Sequence, residues 1–403
     1  MIPICLSGKV LAMTKTSLSK YLIASIICFF GIFLGGSFAQ VGKEYLYVGT
    51  YAERDSKGIY VLEFDRSKGK LDLGQTILDK ESPSYLDIHP NGEFLYAVNR
   101  QGTADKLDKG SISAFQINKK TGELDLIGTI SSGGVGPCHV SVDPKGRSIY
   151  ISHYVSSDMS VFALNKKGEI GQLVYSKKFE GRSANPERQK ESHLHSIISS
   201  WDGKYIYASD LGTDLIHQFG ISGSTKKLKV ELLDSFRSKP GVGPRHLTIH
   251  PNGKYAFTVE ELTSTVGLYS VDPITGGLEF KDRADMIVAS DKFTGSNTAA
   301  DIQITPDGKF IYASNRGLDN IAIFNFNEIT QKITYIGQEP SHGKHPRGMV
   351  MDKFGEYLFV ANRDTDNIVA LKIDKNTGML TKTDIEINVP SPVVVRQLVI
   401  DDK

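Results

Sequence analysis

From about Tyr45 onward, apolar and polar residues alternate in short runs, and each run is closed by a Pro/Gly turn signal. Such period-two alternation predicts strands with one buried face. The informative stretch is residues 243–262, GPRHLTIHPNGKYAFTVEEL. Residues 247–249 and 255–259 read as two short strands, with His250, Pro251, Asn252 and Gly253 as the turn between them. A tight hairpin returns the chain to where it began. Arg245 and His246 at its start are therefore expected beside Glu260 and Glu261 at its end.

The same strand, Pro/Gly turn, strand unit recurs along the chain. Its turn glycines are Gly92, Gly146, Gly203, Gly253, Gly308 and Gly355, spaced as in propeller-type repeats. A second hairpin follows each unit, beginning near Gly58, Gly110, Met159, Leu215, Val266, Ile321 and Ile368. That makes seven outer hairpins but six complete inner ones. The missing inner hairpin is split between the ends: residues 45–50 supply its second strand and residues 396–401 its first, with Arg396 aligned on Arg347. Joining them predicts an all-β fold, a seven-bladed β-propeller whose ring is closed by the N- and C-terminal strands, leaving no open sheet edge. One domain is expected over residues 40–403. Residues 101–109 and 178–192 read as longer loops.

Residues 1–39 stand outside the repeat. Lys15 and Lys20 precede an apolar run over 21–34, with small residues at Ser37 and Ala39, which reads as a signal peptide cut before Gln40. Met13 is an alternative start. Export to the periplasm or medium is expected, and an uncleaved membrane anchor is the alternative. Cys5 and Cys28 would leave with the signal, so Cys138 has no disulfide partner and reads as a small residue at a strand start. With 23% charged residues, 40% hydrophobic residues and a net charge of +1, the chain is an ordinary globular protein with no bulk charge for nucleic acid. No membrane contact is expected after signal removal, and a monomer is the expected state.

Strand starts and strand exits share one rim of the central channel in a propeller. Eight residues before each turn glycine stand Ser84, Cys138, His195, Arg245, Ala300 and Arg347, with Arg396 in the closing strand. One residue further are Tyr85, His139, His246 and Asp301, and Glu261 and Arg316 lie at strand exits. Converging arginines bind a carboxylate or phosphate, and His195 and Glu261 are candidates for proton transfer. Arg100 and Arg363 read instead as exposed exits, and His89 and His250 as structural turn residues. His139 and His246 also read as core histidines, and Asp301 as a residue tying down backbone amides. No zinc-type spacing, phosphate-binding loop or nucleophile elbow occurs, so no metal or cofactor is expected.

These motifs resemble the seven-bladed propeller lactonase family, which contains the propeller-type 6-phosphogluconolactonases and the fungal carboxymuconate cycloisomerases. The resemblance rests on residues 243–247, 259–262, 299–308, 312–316 and 346–348, on Tyr47–Tyr51 with Gly58–Tyr60, and on residues 185–195. It implies a site of His195, Arg245 and Glu261, with Arg316 as a further arginine. Arg316, Arg347, Arg396, His139, His246 and Asp301 are the expected substrate-binding residues. Glu260 departs from the bacterial pattern, which has Asn there, and leaves open which glutamate faces inward. The implied reaction is hydrolysis of a small anionic lactone or sugar-acid lactone, 6-phosphogluconolactonase-like. Glu261 or His195 would activate water, and Arg245 would stabilise the oxyanion. The alternatives are a muconate-type cycloisomerase and a non-catalytic propeller binding a protein or glycan.

Overall fold

The computed structural model describes residues 42–79, 81–100, 109–288 and 293–400. The predicted signal segment, most of the 101–109 loop and Asp401 lie outside the described residues. The described chain forms seven four-stranded antiparallel sheets, and its one helical element is a 3-10 turn at Thr225–Lys227. Blade 1 is built from both ends of the chain. Pro392–Ile400 pairs with Lys43–Thr50, placing Tyr47 opposite Arg396, and Gly58–Asp65 and Lys70–Leu78 complete the sheet. Blades 2 to 7 follow as residues 83–135, 137–178, 194–237, 244–285, 298–340 and 346–388. The innermost strand of each blade contacts that of the next all the way round, so the ring is closed. A closed ring leaves the outermost strand of each blade as its remaining edge.

The repeat has a local cause. All six turn glycines adopt positive φ, between 61° and 77°. Each also donates its N–H to the carbonyl three residues earlier, as Gly253 does to His250 at 2.8 Å. The abundance of tyrosine has a cause in packing between blades. Tyr47, Tyr96, Tyr207 and Tyr312 are buried in second strands. Their hydroxyls donate to the carbonyls of Gly122, Gly168, Gly276 and Gly378 in the outer turn of the next blade. Each phenol thus fills the inter-blade core and satisfies its polar end there.

Two turn glycines differ in what a side chain would meet. A Cβ at Gly253 has only Trp201 nearby, at 3.8 Å, whereas one at Gly308 would collide with the His250 ring. His250 is itself buried against Tyr255 and Phe326. Gly253→Ala is expected to cost about 1 kcal/mol from the left-handed backbone alone. Gly308→Ala should cost more, because His250 must also move. Urea melts of the two variants test the order.

Candidate active site at the channel rim

The ladder skips at the start of every innermost strand. The skipped residues are Ser84, Cys138, His195, Arg245, Arg347 and Val393, with Ala300 and Asp301 together in blade 6. Proline precedes five of them, at Pro83, Pro137, Pro244, Pro346 and Pro392, where an interrupted ladder needs no N–H. A bulge breaks the alternation of faces. Arg245 and His246, neighbours in sequence, consequently both reach one cavity on the channel axis, with Ser84, Cys138, Arg347 and Val393.

Strand exits obey a second rule. Asn99, Glu260 and Asn315, near the ends of their second strands, bond back within their own blades, and the residue after each, Arg100, Glu261 and Arg316, faces the rim. Glu260 is fully buried and holds Arg283 through both carboxylate oxygens, at 2.7 and 2.8 Å. Glu261 faces the channel. Its Oε2 lies 3.0 Å from Arg245 Nε and 2.9 Å from an Arg316 terminal nitrogen, and its Oε1 accepts from Arg188 at 2.6 Å. The open choice between the two glutamates therefore resolves to Glu261.

The network is buried and tightly held. Arg245 is 2% exposed and Glu261 4%. Arg245 also donates to the Ala300 carbonyl and, at 3.1 Å, to His246 Nε2, while Arg316 donates to the Ala299 carbonyl at 2.6 Å. Burial alone would raise the Glu261 pKa, but Arg316, Arg245 and Arg188 outweigh it and hold the carboxyl well below its usual range. Burial lowers Arg316 to about 10 despite its ion pair with Glu261, so it remains a cation at neutral pH. His195 lies close by. Its ring packs edge-on against Tyr154 and His246, and Nδ1 is buried with no hydrogen-bond partner among the described residues. Burial first, then Arg245, His246, Arg347 and Arg316, hold this imidazole well below the ordinary histidine range. This nitrogen is therefore not committed to a protein partner.

The nine expected residues do not share one depth. Arg245, Glu261, Arg316, His195 and Arg347 gather at the rim, with His246 just beneath. His139, His246 and Asp301 form, with Tyr85, the layer under the bulge residues, and all four line a second cavity deeper in the channel. Arg396 lies deeper still and corrects its alignment on Arg347. The closing strand's bulge residue is Val393, so Arg396 occupies the level of Val350 and Asp87, three residues further in. There it stands 3.7 Å from Asp87 and 4.7 Å from the Tyr85 ring. The register is set by burial of Val393, Val394 and Val395, which an alignment on the arginine alone overrides.

Arg188 and Tyr51 join the site from positions that sequence reasoning did not reach, and the strand exits Tyr154 and Arg100 join it as well. Arg188 comes from the 178–192 loop, where Asn185 Oδ1 caps the backbone N–H groups of Glu187 and Arg188, and Gln189 ties the loop to Leu211. Tyr154, a strand exit, lies 3.3 Å from Arg188 through its hydroxyl and stacks on His193. Tyr51 sits under the guanidinium groups of Arg347 and Arg363, at 5.2 and 5.3 Å. Arg100, expected as an exposed exit, is half-buried and lines the rim cavity. Arg363 is likewise held, by Glu53 at 2.7 Å. Arg100, Tyr154 and Arg363 stand at strand exits, which the count from the sequence sets on the rim, and extending that count to the split blade would have added Tyr51. His89 and His250 occupy far-face turns as expected, and Cys138 is a free thiol bonded to strand backbone.

Residues 45–397 match the protein family described as Lactonase, 7-bladed beta-propeller. A 6-phosphogluconolactonase from Formosa agariphila is 35% identical over 341 residues, covering 84% of this chain and 94% of that protein. One from Bacillus subtilis is 33% identical over 355 residues, covering 87% and 97%. Among solved structures, a putative 6-phosphogluconolactonase from Bacteroides fragilis superposes with a TM-score of 0.80 at 31% identity, covering 90% of this chain and 100% of that one. A periplasmic gluconolactonase from Pseudomonas aeruginosa does so with a TM-score of 0.80 at 25% identity, covering 89% and 99%.

Proposed function

The chain belongs to the seven-bladed β-propeller lactonase family and is a lactone hydrolase, and we propose that it opens an anionic aldonolactone of the 6-phosphogluconolactone type at the Arg245–Glu261–Arg316 network, with His195 as base. The observation that carries this reading is one buried carboxylate held by three arginines, beside a histidine nitrogen with no partner. Ring closure of a muconate finds no comparable support, since the named relatives are lactonases.

The steps follow from these groups. His195, kept neutral, takes a proton from water as the water oxygen bonds to the lactone carbonyl carbon. The carbonyl π electrons move to oxygen, and Arg245 and Arg316 stabilise that oxyanion in a water-poor site. When the tetrahedral intermediate collapses, the ring C–O bond breaks and the departing oxygen receives the proton from His195. The product is the open hydroxy acid. Glu261 has both carboxylate oxygens engaged by Arg245, Arg316 and Arg188, which leaves neither free to take the water proton. Its part is to offset the repulsion among the arginines and aim Arg245 and Arg316. Arg347 and Arg100 pair with no carboxylate among the described residues and are free to take the substrate's anionic substituent.

The proposal extends to export of a monomer by way of residues 1–39. Its support is the charge and hydropathy pattern of that segment and the likeness to a periplasmic gluconolactonase. Among the described residues no helix is long and apolar enough to cross a membrane.

The test is hydrolysis of 6-phosphoglucono-δ-lactone and glucono-δ-lactone by the purified protein, followed by pH-stat and corrected for spontaneous opening. Because the base acts only unprotonated and its pKa is depressed, kcat/KM should fall only at pH values below 6.5 and be flat through neutrality. His195→Asn should lower kcat by about 10²-fold or more and remove that acid limb. An acid limb that persists in the variant would reassign the base, and no turnover of either lactone would overturn the reading.

A further inference from the structure

We propose that His246 and Asp301 are positioning residues for Arg245, forming a buried Asp301–His246–Arg245 relay that holds the guanidinium toward the reacting carbonyl, instead of contacting substrate. The inference rests on the reading of Arg245 as the oxyanion-stabilising group.

The hydrogen bonds determine the tautomer from both ends. Asp301 Oδ1 lies 2.8 Å from His246 Nδ1 and also accepts the Ile302 N–H at 2.9 Å. Asp301 Oδ2 accepts the Met349 N–H at 2.8 Å, from the neighbouring blade. A carboxylate accepting backbone donors at both oxygens is ionised, so the proton between Asp301 and His246 belongs to Nδ1. Nε2 then carries its lone pair toward Arg245, whose terminal nitrogen is 3.1 Å away and can only donate. Burial and the Arg245 charge lower the His246 pKa to about 4 against the pull of Asp301, so the ring stays neutral and able to accept.

Packing removes the remaining freedom. The His246 ring meets Tyr85, His139 and His195 edge-on, at 5.6, 5.5 and 5.4 Å between centroids. Both ring nitrogens are occupied by protein, leaving neither for substrate. The relay crosses three blades, from the Met349 backbone through Asp301 and His246 to Arg245 and Glu261. Arg245 is thus gripped on one side by Glu261 and on the other by His246. A guanidinium held in this way needs no reorganisation when charge develops on the substrate.

A double-mutant cycle on the lactonase reaction tests the relay. In Asp301→Asn the NH₂ must face either the Met349 N–H, which costs the side chain its anchor to the neighbouring blade, or the Ile302 N–H together with His246 Nδ1, which removes the acceptor that sets the tautomer. Either way the charged, doubly anchored grip on His246 is weakened. The expected result is a fall of about 100-fold in kcat with KM changed by less than about threefold. His246→Gln keeps an acceptor near the Nε2 position and should be less damaging than His246→Leu. Adding Asp301→Asn to His246→Gln should then cost less than about threefold. An equal loss from Asp301→Asn in both backgrounds would make its role merely structural and overturn the proposal. In the wild-type protein, long-range ¹⁵N–¹H NMR at neutral pH should find His246 protonated at Nδ1 only. Protonation at Nε2 overturns the relay whether or not any lactone is hydrolysed, so its failure is distinguishable from failure of the lactonase assignment.

Discussion

Arg245→Ala is expected to lower kcat for lactone opening by about 10³-fold, with the ring still folded. The Arg245 guanidinium touches Glu261, His246 and the blade 6 backbone at once. Its loss removes a donor to the oxyanion, an effect of about 10²- to 10³-fold on its own. It also leaves Glu261 pulled only by Arg316 and Arg188. The unpaired acceptors left behind, His246 Nε2 and the Ala300 carbonyl, cost about 1–3 kcal/mol each. That weakens the fold without dissolving it. Glu261→Gln should reach a similar loss by the opposite route, because it leaves Arg245, Arg316 and Arg188 facing one another without their shared counter-charge. Activity assays beside thermal melts separate chemistry from unfolding. Wild-type rates in either variant would remove both residues from the mechanism.

Truncation before Pro392 is expected to abolish cooperative folding. The closing strand buries Val393, Val394 and Val395 almost completely, and burying each valine is worth about 1.5–3 kcal/mol. The strand also carries the ladder to Lys43–Thr50 and the contacts of blade 1 with blades 2 and 7. These losses rival the whole 5–15 kcal/mol by which a domain is stable. The exposed edge of Lys43–Thr50, with buried-type residues along it, would then be open to pairing with other chains. Circular dichroism melts and size-exclusion chromatography should show an aggregating, non-cooperative protein. A sharp transition near the wild-type temperature would refute the ring-closure account.

The repeat was legible because its determinants are local. A Pro/Gly turn needs a left-handed glycine within four residues, and alternation marks strands wherever one face is buried, so the copies could be counted without any structure. The split blade was legible for the same reason, as a shortfall of one hairpin. Its register was not. Aligning Arg396 with Arg347 ignored the three buried valines that fix the strand three residues away from that alignment.

The site was partly legible. His195, Arg245, Glu261, Arg316 and Arg347 were placed together by counting from the turn glycines, because that count lands on the bulge and exit positions of each blade. The same count set His139, His246 and Asp301 one residue further in, but the bulges leave no mark in hydrophobic alternation, so that Arg245 and His246 reach one cavity could not be seen. Arg188 was hidden for a different reason: it reaches Glu261 from a loop 73 positions away, held by an Asx turn.

By itself, then, the sequence determined the number of blades, the manner of closure, the family and the residue types of the site, since each is written in short-range pattern. The tertiary structure decided which of Glu260 and Glu261 faces the channel, how deep each arginine lies and which histidine nitrogen is left without a partner. These depend on strand register and on bonds between blades. A change of register by a single residue reverses which face a side chain takes, while scarcely altering the pattern that predicts the strand.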